Sequence, residues 1–166
     1  MNPRPPLWAP WRMEYIVGPK PDACIFCEHD DPALDRERLI LYRGRHVMAM
    51  LNRYPYTNGH VMVAPYSHVA RLSDIEEEIR HDLIGCLAAC QRILDEAYRP
   101  DGLNLGANFG AAAGAGFVEH LHFHLVPRWV GDANFMTSVG EIRVIPEHLE
   151  HTYDELAPRF AELSQS

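Results

Sequence analysis

Glu119-His120-Leu121-His122-Phe123-His124-Leu125-Val126-Pro127-Arg128-Trp129 alternates histidine with apolar residues, and the period is that of a β-strand. His120, His122 and His124 are expected on one face, with Leu121, Phe123 and Leu125 anchoring the other in a core. A strand rises about 3.3 Å per residue, so the outer imidazoles start roughly 13 Å apart and neighbours about 6.6 Å apart. One metal ion cannot readily hold all three. The row is expected to divide its labour.

Upstream lies Gly110-Ala111-Ala112-Ala113-Gly114-Ala115-Gly116, a loop of small residues entered from Leu103–Phe109, a predicted strand. Its lack of bulk lets a ligand approach backbone N–H groups suited to phosphate oxygens. It carries no Walker lysine and sits in no βαβ unit, so it is neither a P-loop nor a dinucleotide fingerprint. Beside three aligned histidines the loop gains weight that it lacks alone.

Three antiparallel strands are predicted earlier: Leu39–Tyr42, His46–Asn52 and His60–Pro65, separated by turns at Arg43-Gly44-Arg45 and Thr57-Asn58-Gly59. Asn52 stands where a strand meets a loop and suits either ligand contact or capping of its own turn. A helix is expected from Ser73 and Asp74 to about Tyr98, stopping before Pro100. Glu76, Glu77 and Glu78 complement its N-terminal dipole. Ile75, Ile79, Leu83, Leu87, Cys90, Ile84, Ala88 and Leu94 form its apolar stripe. Cys86 and Cys90 read as core cysteines. His148–Leu163 suits a closing amphipathic helix, interrupted or kinked at Pro158.

The chain has 166 residues, 47% of them hydrophobic, which suits one domain spanning 1–166. The proline-rich segment 1–20, with Trp8 and Trp11, is expected to pack on the body. No apolar run reaches the roughly 20 residues of a membrane span, and no signal peptide is visible, so a soluble cytoplasmic protein is expected. A net charge of −8 argues against general nucleic-acid binding but not against a small nucleotide in a local site.

Cys24-Ile25-Phe26-Cys27 is a C-x-x-C knuckle after a loop, a context that favours half a zinc site over a redox pair. His29, His68 and His120 are candidates to complete it. For the histidine row itself three chemistries remain open: an H-x-H metal hydrolase, a histidine nucleophile attacking phosphorus, or a solvated histidine ladder.

His120-Leu121-His122-Phe123-His124-Leu125-Val126 resembles the His-φ-His-φ-His-φ-φ motif of the histidine-triad (HIT) nucleotide hydrolases and transferases. Asn52, Gly59–Pro65, His68 and Asn108–Gly116 extend the resemblance over most of the chain. Leu7–Arg12, Ala113–Gly116, Val126–Trp129 and Gly131–Phe135 are most similar to the bacterial branch containing diadenosine tetraphosphate phosphorylases.

The resemblance implies an α+β fold: an antiparallel sheet of about five strands, a long packed helix, a C-terminal helix and commonly a homodimer. It implies cleavage at the α-phosphate of dinucleoside polyphosphates or nucleoside phosphoramidates through a covalent nucleotidyl-histidine. By that similarity His122 is the nucleophile, and His124 binds phosphate and assists the leaving group. Asn52 and His60 serve the nucleoside side, and Asn108, Gly114, Ala115 and Gly116 hold phosphate oxygens. It further implies a structural zinc on Cys24, Cys27, His68 and His120, and no organic cofactor. Many members carry Ser, Thr or Gln where this chain has Gly116, which leaves water and phosphate both open as acceptors. Hexose-phosphate uridylyltransferase-like transfer and a nucleotide-binding regulatory module are the alternatives.

Overall fold

The computed structural model describes residues 23–132 and 148–165. The segment 1–20 and the part of the Gly131–Phe135 resemblance beyond Asp132 lie outside these residues. Five strands form one antiparallel sheet: β1 (Ile40–Arg43), β2 (Val47–Leu51), β3 (Val61–Pro65), β4 (Gly102–Ala107) and β5 (Phe123–Arg128), in the order β1-β2-β3-β5-β4. Among the described residues three α-helices accompany them: α1 (Asp35–Arg38), α2 (Glu77–Tyr98) and α3 (Leu149–Ala161). The expected α+β architecture is what the chain adopts.

Period-two alternation in β2 and β3 explains why the sheet centre is buried on both faces. Val47, Ala49, Leu51, Val61 and Val63 join Leu83, Leu87, Cys90 and Leu94 of α2 and Leu156 and Phe160 of α3 in one core. Met48, Met50, Met62 and Ala64 point the other way and pack with Ile40 and Phe26. Phe26 is one of the two residues between the knuckle cysteines, so the knuckle roofs the second face.

The β2–β3 connection closes through a hydrogen bond from Asn52 N–H to the His60 carbonyl at 2.9 Å. Gly59 permits the turn: its φ is +70°, and a Cβ there would lie 2.7 Å from the Tyr98 ring. Thr57 then donates to the Pro127 carbonyl at 2.8 Å, fastening this loop to β5.

Four expectations change in detail. The triad strand begins only at Phe123, because the pairings Val63 to Phe123 and Ala107 to Phe123 are the last in either ladder. His120 and His122 precede it, yet the alternation persists: Leu121 N–H donates to the Val69 carbonyl at 2.6 Å, and Leu121 sits in the helix-side core. The long helix starts at Glu77 rather than Ser73, because Ile75 takes an extended conformation that buries its side chain in that core. Ile84 and Ala88 leave the stripe for the exposed side of α2, with Ile84 61% exposed. The closing helix runs through Pro158 without interruption.

Candidate active site and metal centre

A cleft of about 350 Å³ opens on the knuckle side of the sheet. Its apolar wall comes from Ile25, Phe26, Leu39, Met50, Met62 and Phe117, and its polar groups include Asn52, Asn108, His122 and His124. A flat aromatic group with a polar tail fits such a surface: apolar contact for the ring, hydrogen bonds at one end.

The tautomer of every histidine here follows from its neighbours. His122 Nδ1 lies 2.8 Å from the His120 carbonyl. A carbonyl only accepts, so Nδ1 carries the proton and Nε2 keeps its lone pair. Burial lowers the pKa of His122 below the ordinary imidazole value, against the smaller raising effect of that carbonyl, which favours the neutral ring. Phe26 stacks on the same ring, centroids 4.7 Å apart at 26°.

A second chain of bonds orients His124. Tyr56 N–H donates to His60 Nδ1 at 3.1 Å, so His60 is protonated on Nε2. That nitrogen donates to His124 Nδ1 at 3.0 Å. The proton of neutral His124 therefore sits on Nε2, the nitrogen able to hand it to an oxygen. His60 is buried, and its ring stacks on Tyr56 with centroids 4.8 Å apart.

His120 shares the Phe26 side with His122 but turns its Nδ1 to the knuckle cysteines. Its Nε2 donates to the Pro65 carbonyl at 2.8 Å, which leaves Nδ1 unprotonated in the neutral ring. Burial holds its pKa below the ordinary imidazole value. Nδ1 lies 3.3 Å from Cys24 Sγ, 3.5 Å from Cys27 Sγ and 3.3 Å from His68 Nδ1, and Cys27 Sγ lies 3.2 Å from His68 Nδ1. The four donor atoms all fall within 4.8 Å of one another, a group that could hold a metal ion. Burial and the adjacent Cys24 push the Cys27 thiol up to about 11. A dication among these groups reverses that trend by stabilising thiolate.

A HIT domain family model matches residues 34–130. The chain belongs to the HIT family. Among its HIT relatives, a Mycobacterium tuberculosis protein named AP-4-A phosphorylase is 40% identical over 163 residues, covering 93% of this chain and 84% of that protein. The Saccharomyces cerevisiae bis(5'-adenosyl)-triphosphatase is 32% identical over 113 residues, covering 68% of this chain and 51% of its own length. A zinc-bound histidine triad family protein from Mycobacterium smegmatis superposes with a TM-score of 0.64 at 28% identity, covering 86% of this chain and 96% of that one.

Most residues expected from the HIT motif converge. Asn52, Asn108, Gly114, Gly116, His122 and His124 line the cleft, whereas His60 reaches it only through His124. Ala115 is absent from the lining. Asn52 lines the cleft and also caps its own turn, where its Oδ1 accepts from Tyr54 N–H at 2.9 Å. The glycine-rich loop departs from expectation. Gly114 N–H is taken by the Ala111 carbonyl at 3.0 Å and Ala115 N–H by the Gly110 carbonyl at 3.3 Å. Only the Gly116 amide of the three makes no hydrogen bond among the described residues.

Of the ligand candidates, His68 and His120 join the cysteines, while His29 packs at a tilt against Tyr66 instead. Phe26, Tyr56 and Leu39 escaped the sequence reading. Only Phe26 left a signal there, as an aromatic enclosed by the two knuckle cysteines.

Proposed function

We propose that this protein is a HIT enzyme that cleaves dinucleoside polyphosphates of the diadenosine tetraphosphate type through a covalent nucleotidyl-His122. The observation that carries the reading is the bond from His122 Nδ1 to the His120 carbonyl, which leaves a nucleophilic Nε2 at the cleft. The 40% identity to a protein named AP-4-A phosphorylase supports the substrate class.

In this reading His122 Nε2 attacks the α-phosphorus. The bond from phosphorus to the bridging oxygen breaks, its electron pair leaves with the departing polyphosphate, and His124 Nε2–H supplies that oxygen with a proton or hydrogen bond. Phosphate or water then attacks the same phosphorus, and the N–P bond returns its electron pair to Nε2. Asn52 meets the ribose hydroxyls. Asn108 and the Gly116 amide hold phosphate oxygens as charge develops.

The metal is read as zinc on Cys24, Cys27, His68 and His120. Bonds of about 2.3 Å to sulfur and about 2.05 Å to nitrogen give a tetrahedron with N···N edges near 3.3 Å and S···N edges near 3.5 Å. Four of the six separations among these donors, 3.2 to 3.5 Å, fall within about 0.4 Å of those edges. Four protein ligands close the site, so such a zinc braces His120 rather than activating water.

Incubation with diadenosine tetraphosphate, with and without phosphate, tests the activity. ADP plus ATP formed only with phosphate identifies a phosphorylase, and AMP plus ATP identifies a hydrolase. No products under either condition would overturn the reading.

The working unit is read as a cytoplasmic homodimer of the one-domain chain. The position of β4 at the sheet edge, with Leu105 53% exposed, supports an edge that is covered in the assembly. A sedimentation mass of one 18.9 kDa chain would refuse the dimer.

A further inference from the structure

We infer that Arg43, which does not line the cleft, is a positioning residue that sets the separation of two of the cleft's walls. The inference rests on the nucleotide reading for its kinetic consequences.

One wall is the knuckle segment with Ile25, Phe26 and Glu28, and the other is the turn and helix that carry Leu34, Glu37, Arg38 and Leu39. Of the second wall only Leu39 reaches the core. Neither the Pro32–Leu34 turn nor α1 buries any of its residues, and a four-residue helix is unstable without tertiary support.

Arg43 stands at the end of β1, in the rigid sheet, and its guanidinium reaches both walls. Nε lies 3.0 Å from each Asp35 oxygen and Nη2 lies 2.5 Å from Oδ1, at the first residue of α1. Nη1 donates to the His29 carbonyl at 2.5 Å, at the end of the knuckle segment. Both charged side chains are 25% exposed, shielded enough for geometry to matter. The α1 wall has other ties, Arg53 to the Glu37 carbonyl at 2.7 Å and Arg36 to Asp154, but neither touches the knuckle. The planar fork allows one side chain to serve a carboxylate and a carbonyl together, whereas a lysine ammonium meets one or the other.

The test is Arg43→Lys in the full chain. KM for diadenosine tetraphosphate is expected to rise about tenfold with kcat within about twofold, because binding geometry is lost while the bonds to His122 and His124 remain. Amide exchange over residues 28–39 is expected to quicken, with β2 and β3 unchanged. Arg43→Lys combined with Asp35→Asn is expected to be no worse than Arg43→Lys alone, since both remove one shared tie. Exchange over 28–39 identical to wild type overturns the inference, as does a fall in kcat at constant KM. Should the wild type turn over no nucleotide, the functional reading fails and the exchange result alone decides the role of Arg43.

Discussion

His122→Gly is expected to lower turnover of diadenosine tetraphosphate by about 10⁴-fold or more, the scale seen when a covalent nucleophile is removed. No neighbour is placed to substitute. His120 Nδ1 points into the cysteine cluster, and His124 Nδ1 is engaged by His60. The fold should survive, because the ladders holding β5 start at Phe123 and the helix-side core takes Leu121 and Leu125, not His122. The variant leaves a gap against Phe26, so a modest loss of thermal stability is expected. Nucleotide binding should persist, since the apolar wall and Asn52 are unchanged. Circular dichroism, binding of AMP and product analysis together check this. Wild-type turnover by His122→Gly would sink the covalent mechanism.

The histidine alternation shows how far sequence carries in this chain. Side-chain direction follows from backbone extension, so the shared face of the three histidines and the core face of Leu121 and Leu125 were legible without knowing the partners. The end of the ladder was not. It depends on where β3 and β4 run out, which is set by two other segments 16 or more residues away in sequence (Phe123 to Ala107 and to Val63). The same division holds on α2, where spacing located the stripe but could not tell that Ile84 and Ala88 fall beyond its covered edge.

For the site, the residues with reactive side chains were legible and the hydrogen bonds assigning their protons were not. His120, His122 and His124 look equivalent by period. They differ because a carbonyl of Pro65, a carbonyl of His120 and an imidazole of His60 each meet a different ring. Three of these partnerships are main-chain contacts or depend on one, and backbone groups carry no sequence signature. The glycine-rich loop failed for a related reason. Composition shows that amides are accessible, not that Gly114 and Ala115 already donate within their own turn.

Loss of the proposed zinc is expected to have the second large effect, and its cluster connects the two halves of the site. His120 belongs to both: its Nδ1 faces the cysteines, while its carbonyl accepts from His122 Nδ1. Phe26 is shared as well, enclosed by Cys24 and Cys27 in sequence and stacked on His122 in space. Loosening the cysteine cluster therefore disturbs the nucleophile through a covalent link and a ring contact. Structural zinc in small peptides contributes about 10–16 kcal/mol of apparent binding energy at neutral pH, but this chain has a separate helix-side core that does not need the ion. A loss of several kcal/mol is expected, which for a chain of this size lowers Tm by about 10 °C or more. Wild-type protein should contain one zinc per chain, and Cys24→Ser should lose zinc, stability and turnover together. Cys86→Ser, in the opposite core, should keep its zinc. If wild type and Cys24→Ser both carry less than a trace of zinc and melt at the same temperature, the four groups are packing partners and the brace on His120 is the sheet's own.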